Sequence, residues 1–270
     1  MERMNEPRLA LGDVLSAHQR DVMMRVLSEE QARREHVVVY LSGAHAYGFP
    51  SPDSDLDLKA IHVARTEDLL GFEPPQPTSD RAEVIDGVEI DYTSNELGHA
   101  LGGILRGNGN FLERVLGALH PVASPLLAEL APLVRRALSR RVHRHYRGFA
   151  QNQLGFLEKE PTAKKLLYVL LYVLRTATTG IHLLRTGELE ADLGRLMDRY
   201  GVPDARALVE RKRAGERTPV EASLLETWRP RLDALFVELD RARDESPLPE
   251  APPDEGELRD WLVATRRARL

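Results

Sequence analysis

Two carboxylates in Asp55-Leu56-Asp57-Leu58-Lys59-Ala60 are the residues of this chain best spaced to do chemistry. Along a strand, residues two apart project to the same face, so Asp55 and Asp57 can converge on one hard divalent cation, which takes oxygen ligands. A third acid from a neighbouring strand would complete a two-ion site able to clamp the attacking and leaving oxygens of a phosphoryl displacement. Asp91 supplies that acid, and Glu89, two residues before it, is the alternative third ligand. Upstream, Gly43-Ala44-His45-Ala46-Tyr47-Gly48 is a small-residue turn whose backbone N–H groups can cradle phosphates. The competing reading of each element alone is ordinary: a solvated strand face, and loop glycines supplying positive φ.

The elements that must carry these groups follow from periodicity. His36-Val37-Val38-Val39-Tyr40-Leu41-Ser42 is a β-branched run that reads as a buried strand ending at Gly43. From Asp55 to Val63, strict alternation puts Leu56, Leu58 and Ala60 on one face and the two acids on the other. Beyond a proline-rich loop over 71–80, alternating runs at 82–85 and 88–92 flank Asp86-Gly87, a strong hairpin signal. Val88, Ile90 and Tyr92 share a face, so Glu89 and Asp91 share the opposite one. Residues 13–34 read as an amphipathic helix with Asp13 as N-cap. After Ser94 the pattern predicts no further strand. A helix opens at Asn110 with Glu113 at the reciprocal capping position, and others follow over 126–138, 139–157, 162–185, 191–200, 204–213 and 220–243, with Pro219 at a first turn. A proline-rich linker over 246–253 precedes a last helix over 255–267. The class is therefore α+β, divided into 1–120, a helical region 121–245, and a linker with terminal helix 246–270.

Two helical stretches carry further candidates. Over 162–175, Lys165, Tyr168, Tyr172 and Arg175 lie on or near one face, and the bland reading of that face is core tyrosines and solvated lysines. Between Glu129 and Glu158 there is no acid, but six arginines. Arg140, Arg144 and Arg147, at i, i+4 and i+7, form a basic stripe suited to a phosphate backbone, unless internal salt bridges absorb it.

The composition narrows the setting. The 270 residues carry 37 Lys and Arg against 42 Asp and Glu, a net charge of −5, so total charge gives no general pull toward polyanions; only its segregation into an acidic site and a basic helix does. The absence of cysteine excludes disulfides, thiolate zinc sites and a thiol nucleophile, and leaves Mg²⁺ or Mn²⁺ as the natural metal. The opening residues lack a signal peptide's apolar core, and no uninterrupted apolar stretch reaches membrane-spanning length, so a soluble, cytoplasmic protein is expected.

Leu41-Ser42-Gly43-Ala44-His45-Ala46-Tyr47-Gly48, followed by Ser51-Pro52-Asp53-Ser54-Asp55-Leu56-Asp57, resembles the signature of the DNA polymerase β nucleotidyltransferase superfamily. With Leu105-Arg106-Gly107-Asn108-Gly109-Asn110-Phe111-Leu112-Glu113 it is similar to the RNA-repair-associated, RlaP-like branch. The resemblance covers roughly residues 36–187. It implies a small mixed-sheet, palm-like catalytic domain followed by an all-helical nucleotide- and substrate-binding domain, using two Mg²⁺ or Mn²⁺ ions and an NTP. In it Asp55, Asp57 and Asp91 are the catalytic metal ligands, and Gly43, Ala44, His45, Ser54, Lys165 and Tyr168 bind the nucleotide. Arg140, Arg144 and Arg147 would then meet an RNA acceptor. Ser54 either contacts a phosphate or caps its loop. The family's Gly-Ser is here Gly43-Ala44, which keeps the backbone N–H groups but loses a hydroxyl, leaving Ser42 or His45 to compensate or the triphosphate less firmly held. Transfer to a protein or small-molecule hydroxyl, and a non-catalytic nucleotide- or RNA-binding module, are the alternatives.

Overall fold

A computed structural model describes residues 11–159, 163–214 and 223–270, with the side chains of 157–159 and 163–165 excepted. In chain order the described elements are α1 (Leu11–Val14), α2 (Ala17–Arg33), β1 (Glu35–Leu41), α3 (Gly43–Ala46), β2 (Leu56–Val63), α4 (Thr66–Leu70), β3 (Thr78–Ile85) and β4 (Val88–Glu96). Then follow α5 (Leu97–Leu105), α6 (Gly109–Leu116), β5 (Val122–Ala123), α7 (Pro125–Arg136), α8 (Val142–Lys159), α9 (Ala163–Thr186), α10 (Leu193–Leu196), α11 (Ala205–Arg213), α12 (Ser223–Asp244) and α13 (Glu255–Arg267). The class is α+β, with a five-stranded mixed sheet in the order β3-β4-β2-β1-β5. Strands β2 and β4 run parallel, and the other neighbours are antiparallel.

Several local expectations are corrected. The long N-terminal helix is capped by Ser16, whose hydroxyl accepts from the Gln19 N–H in a full capping box, while Asp13 falls inside the separate turn α1. Helix α6 is capped by Asn108 rather than Asn110, which frees Glu113 for the interior. A strand does occur after Ser94: β5 is two residues long, too short to show alternation, and is held by pairing with β1. Strand β3 starts at Thr78, because Thr78, Ser79 and Asp80 pair with the extended end of β4. The helix expected over 191–200 shrinks to α10. Pro219 lies outside the described residues. The Asp86-Gly87 turn is as expected, with φ of 49° and 81°, the left-handed pair of a type I′ hairpin.

The pleat divides the interior. Leu56, Leu58, Ile90 and Tyr92 face α2, where Val22, Met23, Val26 and Leu27 are almost fully buried. The opposite face, with Ile61 and Val63, joins a hydrophobic cluster that continues through α5 to α9 and on to Leu258 of α13. At its centre lies α9, whose stretch Leu166–Thr186 has the length and apolar composition to cross a membrane but is mostly buried inside the molecule. The segment 246–253 is strapped down: Arg140 donates to the carbonyls of Leu248 and Ser246 at 2.9 and 2.7 Å, and its N–H to that of Pro249 at 2.8 Å. Helix α13 then returns to the sheet through Arg266–Glu96 at 2.9 Å and Arg269–Glu35 at 2.6 Å.

Three enclosed histidines give the fold an acid limit. Burial pushes His36, His45 and His145 each down to about 4, with nearby Arg34 adding to the effect at His36 and Arg175 at His145. The unfolded chain protonates these rings near 6.5 while the folded one does not until about 4, so unfolding takes up protons in that window and stability is lost as pH falls through it. Each histidine contributes up to about 1.4 kcal/mol per pH unit. Urea midpoints between pH 6.5 and 4.5 should fall accordingly, and His36→Gln should flatten the slope by about one proton; an unchanged slope overturns the assignment.

Candidate active site

Strand register brings the acids together. In the parallel β2–β4 pair, Asp57 lies directly opposite Asp91, and both project to the face that becomes the helical core farther along the sheet. Asp55, just before β2, interacts with Glu89: burial raises its carboxyl above the usual range, and the Glu89 charge and hydrogen bond raise it further. Burial pushes the Asp57 carboxyl up to about 6, opposed by the Lys59 ammonium and reinforced by Asp91 and Asp55. Four acids thus line one edge, and Glu89 stays beside Asp55 while Asp91 faces Asp57.

Lys59 occupies the middle of this edge. Its Nζ lies 2.8 Å from Asp91 Oδ2 and 3.7 Å from Asp57 Oδ1. Among the described residues no three His, Asp or Glu side chains are drawn together to hold a metal ion. The donor set nonetheless suits a hard divalent cation: all are carboxylates, and a tethered cation already stands between two of them. Asp55, Asp57 and Asp91 are the residues that would hold such ions.

The turn after β1 is built around the same carboxylate. Gly43 has φ of 64°, and a Cβ placed on it would coincide with Asp57 Oδ2, so this position requires glycine on both counts. The Ser42 N–H donates to the Asp57 carbonyl at 2.8 Å. The turn is one round of helix, α3, with Ala44 and His45 buried rather than open to solvent. The Ser42 hydroxyl is 3.1 Å from the Tyr47 hydroxyl. Gly43→Ala should displace Asp57, costing about 1–3 kcal/mol in stability and at least about 10²-fold in catalysis; a wild-type melting temperature and rate would show that the turn is not coupled to the acid.

Behind the turn sits a buried ion pair. Arg175 of α9 lies 2.7 Å from Glu113 of α6, with their side chains 4% and 3% exposed. The Arg175 guanidinium stacks 3.5 Å from the Tyr47 ring centroid, and the Tyr47 hydroxyl donates to Glu113 Oε2 at 3.2 Å. Tyr47, Glu113, Ser42, Gly43, Asp57 and Lys59 line a cleft of about 180 Å³ that also meets Arg114 and Tyr172. Arg114 donates to the Ala60 carbonyl at 2.8 Å and to Asn95, and burial pulls it down to about 10.

The other candidates fall as follows. Tyr168 is 40% exposed, its ring 4.3 Å from that of Tyr172 and within electrostatic reach of Asp57 and Asp55, so it is presented beside the acids. The Lys165 side chain lies outside the described residues. Ser54 closes its own loop, its Oγ accepting from the Ser51 N–H at 2.9 Å. Arg140 is spent on the 246–249 carbonyls, and Arg147 lies 3.4 Å from Asp240 with its guanidinium over Phe236. Arg144 is exposed, at a groove it shares with Arg106, Arg141 and Arg243. Sequence reasoning missed Lys59, Arg114 and Lys212. The last is a buried lysine of α11 that donates to Ser51 Oγ at 3.1 Å and whose charge is felt at Asp55. Lys59 alone had a readable signal, its i+2 spacing from Asp57.

Comparison with known proteins adds the following. The model of a family described as the RNA repair pathway DNA polymerase beta family, RlaP, matches residues 19–264. An uncharacterized protein of Methanocaldococcus jannaschii, MJ0002, is 29% identical over 214 residues, spanning 78% of this chain and 84% of that one. A crystal structure of a nucleotidyltransferase-like protein from Exiguobacterium sibiricum superposes with a TM-score of 0.34 at 13% identity, covering 83% of this chain and 74% of the other.

Proposed function

Because the chain belongs to the RNA repair pathway DNA polymerase beta family and is a DNA polymerase β-like nucleotidyltransferase, we propose that it moves a nucleoside monophosphate from an NTP to a hydroxyl on an RNA end and releases pyrophosphate. One observation carries this reading: the parallel register that sets Asp57 against Asp91 beside the Gly43 turn. The acceptor oxygen forms its bond to the α-phosphorus as the bond to the β-phosphate bridge breaks, with inversion. When bound, Mg²⁺ or Mn²⁺ supplies the charge that stabilises the transition state. The chain's part is positional. Asp55 and Asp57 would hold the ions, and Asp91, more exposed than Asp57, takes up the proton of the attacking hydroxyl. Tyr168 offers its exposed ring to the base, and the Arg144 groove offers guanidinium groups to the acceptor's phosphates.

The test incubates purified protein with Mg²⁺ or Mn²⁺, labelled NTPs, and a panel of RNAs, proteins and small alcohols. Label should pass to RNA in the wild type and to nothing in the Asp55→Asn/Asp57→Asn variant. Transfer that survives the double substitution, or is absent with every acceptor, overturns the proposal; transfer to a protein or alcohol alone moves the acceptor and keeps the chemistry.

A further inference from the structure

The acidic edge has its own cation. Lys59 shares the strand face of Asp57, and its ammonium is held by four oxygens: Asp91 Oδ2 at 2.8 Å, Asp57 Oδ1 at 3.7 Å, the Asp91 carbonyl at 3.4 Å and Thr93 Oγ1 at 3.5 Å. The side chain is only 20% exposed, so it is held in place rather than waving in solvent. No other lysine or arginine is recorded in an ion pair with either Asp57 or Asp91 among the described residues.

We infer that Lys59 is a built-in counter-ion that competes with the divalent cation for Asp57 and Asp91, so that an ion loads only when Lys59 withdraws. This rests on the metal-dependent reading above and goes beyond it by naming what regulates entry. An ammonium and a divalent ion within about 4 Å of each other at a partly covered site repel by several kcal/mol at an intermediate effective dielectric. Both cannot sit between the two carboxylates. A withdrawing ammonium needs a new anionic partner, and the adjoining cleft lined by Ser42, Gly43, Tyr47 and Arg114 is where an incoming polyphosphate would provide one. The site therefore discriminates against a free divalent ion and accepts one that arrives with a nucleoside triphosphate. Lys59 is a positioning residue in this scheme. It neutralises the resting carboxylates and makes metal and nucleotide binding cooperative, with reciprocal coupling as linkage demands.

The experiment measures Mn²⁺ binding by electron paramagnetic resonance, with and without a non-hydrolysable NTP, for the wild type, Lys59→Met, Lys59→Arg and Asp57→Asn. Wild type should bind Mn²⁺ weakly alone and at least about tenfold more tightly with the nucleotide, a coupling of ordinary size. Lys59→Met keeps the aliphatic stem and removes the charge. It should bind Mn²⁺ alone at least about tenfold more tightly than wild type and lose most of the nucleotide enhancement. Lys59→Arg should behave as wild type. If Lys59→Met binds Mn²⁺ no better than wild type, while Asp57→Asn abolishes wild-type binding, the counter-ion role fails and the metal site stands. If no protein binds Mn²⁺ with or without nucleotide, the metal-dependent reading fails and the inference falls with it. Circular dichroism checks folding, and Lys59→Gln replaces Lys59→Met should the latter not fold.

Discussion

Replacing Asp57 by Asn should abolish nucleotidyl transfer, by about 10³-fold or more, while leaving the protein at least as stable as wild type. The two halves of this result come from the same burial. Asp57 is only 27% exposed, and burial pushes its carboxyl up to about 6 from an ordinary value near 3.8. A carboxyl with a raised folded pKa favours folding below its unfolded pKa, and loses that contribution as pH rises through about 6. At neutral pH the ionised group therefore opposes folding, by an amount on the order of 3 kcal/mol. Asparagine keeps the shape beside Gly43 and removes the charge, so the opposition goes with it. What disappears is the carboxylate that the proposed metal-dependent transfer needs, a trade of stability for activity common at functional sites. Calorimetry at pH 7.5 together with the transfer assay decides the matter. A large drop in melting temperature would make Asp57 a structural residue, and retained transfer would remove it from the site.

Arg175→Met should destabilise the protein by about 3–5 kcal/mol, the usual cost of stripping one partner from a buried pair. The Glu113 carboxylate, now 3% exposed, would remain buried without its counter-charge, with the Tyr47 hydroxyl still donating to it. The guanidinium stacking on Tyr47 would be lost as well, and Tyr47 is what ties α9 to the turn that approaches Asp57. Urea denaturation reads the effect directly. The double variant Arg175→Met/Glu113→Gln should recover half or more of the loss, because no uncompensated charge remains. A single-variant cost below about 1 kcal/mol would mean that the pair carries little of this junction.

The legible part of this site lay in short-range spacing. Asp55-Leu56-Asp57 on an alternating strand, and Glu89 and Asp91 across an Asp-Gly hairpin, are local patterns whose geometry the pleat sets within a few residues. The helical half was legible as helices for the same reason, though boundaries moved wherever a cap depended on which residue pointed inward. Asn108 rather than Asn110 caps α6, and Glu113, the expected reciprocal capping residue, pairs with Arg175 instead. The basic stripe shows where local reading runs out: its spacing is real, but Arg140 and Arg147 are claimed by the 246–249 carbonyls and by Asp240, about a hundred residues away.

By itself, then, the sequence determined the α+β class, the strands that carry the carboxylates, the hairpin between β3 and β4, and the family signature around Gly43 and Asp55. These depend on periods of 2 and 3.6 and on turn chemistry, which act over a few residues. Only the tertiary structure decided that Asp57 faces Asp91 while Asp55 meets Glu89, that Lys59 stands between the carboxylates, and that Arg175, Tyr47 and Glu113 support the turn from behind. Strand order, register and the partners of long flexible side chains are set by what must be buried together and which charges must be neutralised there, and one strand's own residues do not contain that information.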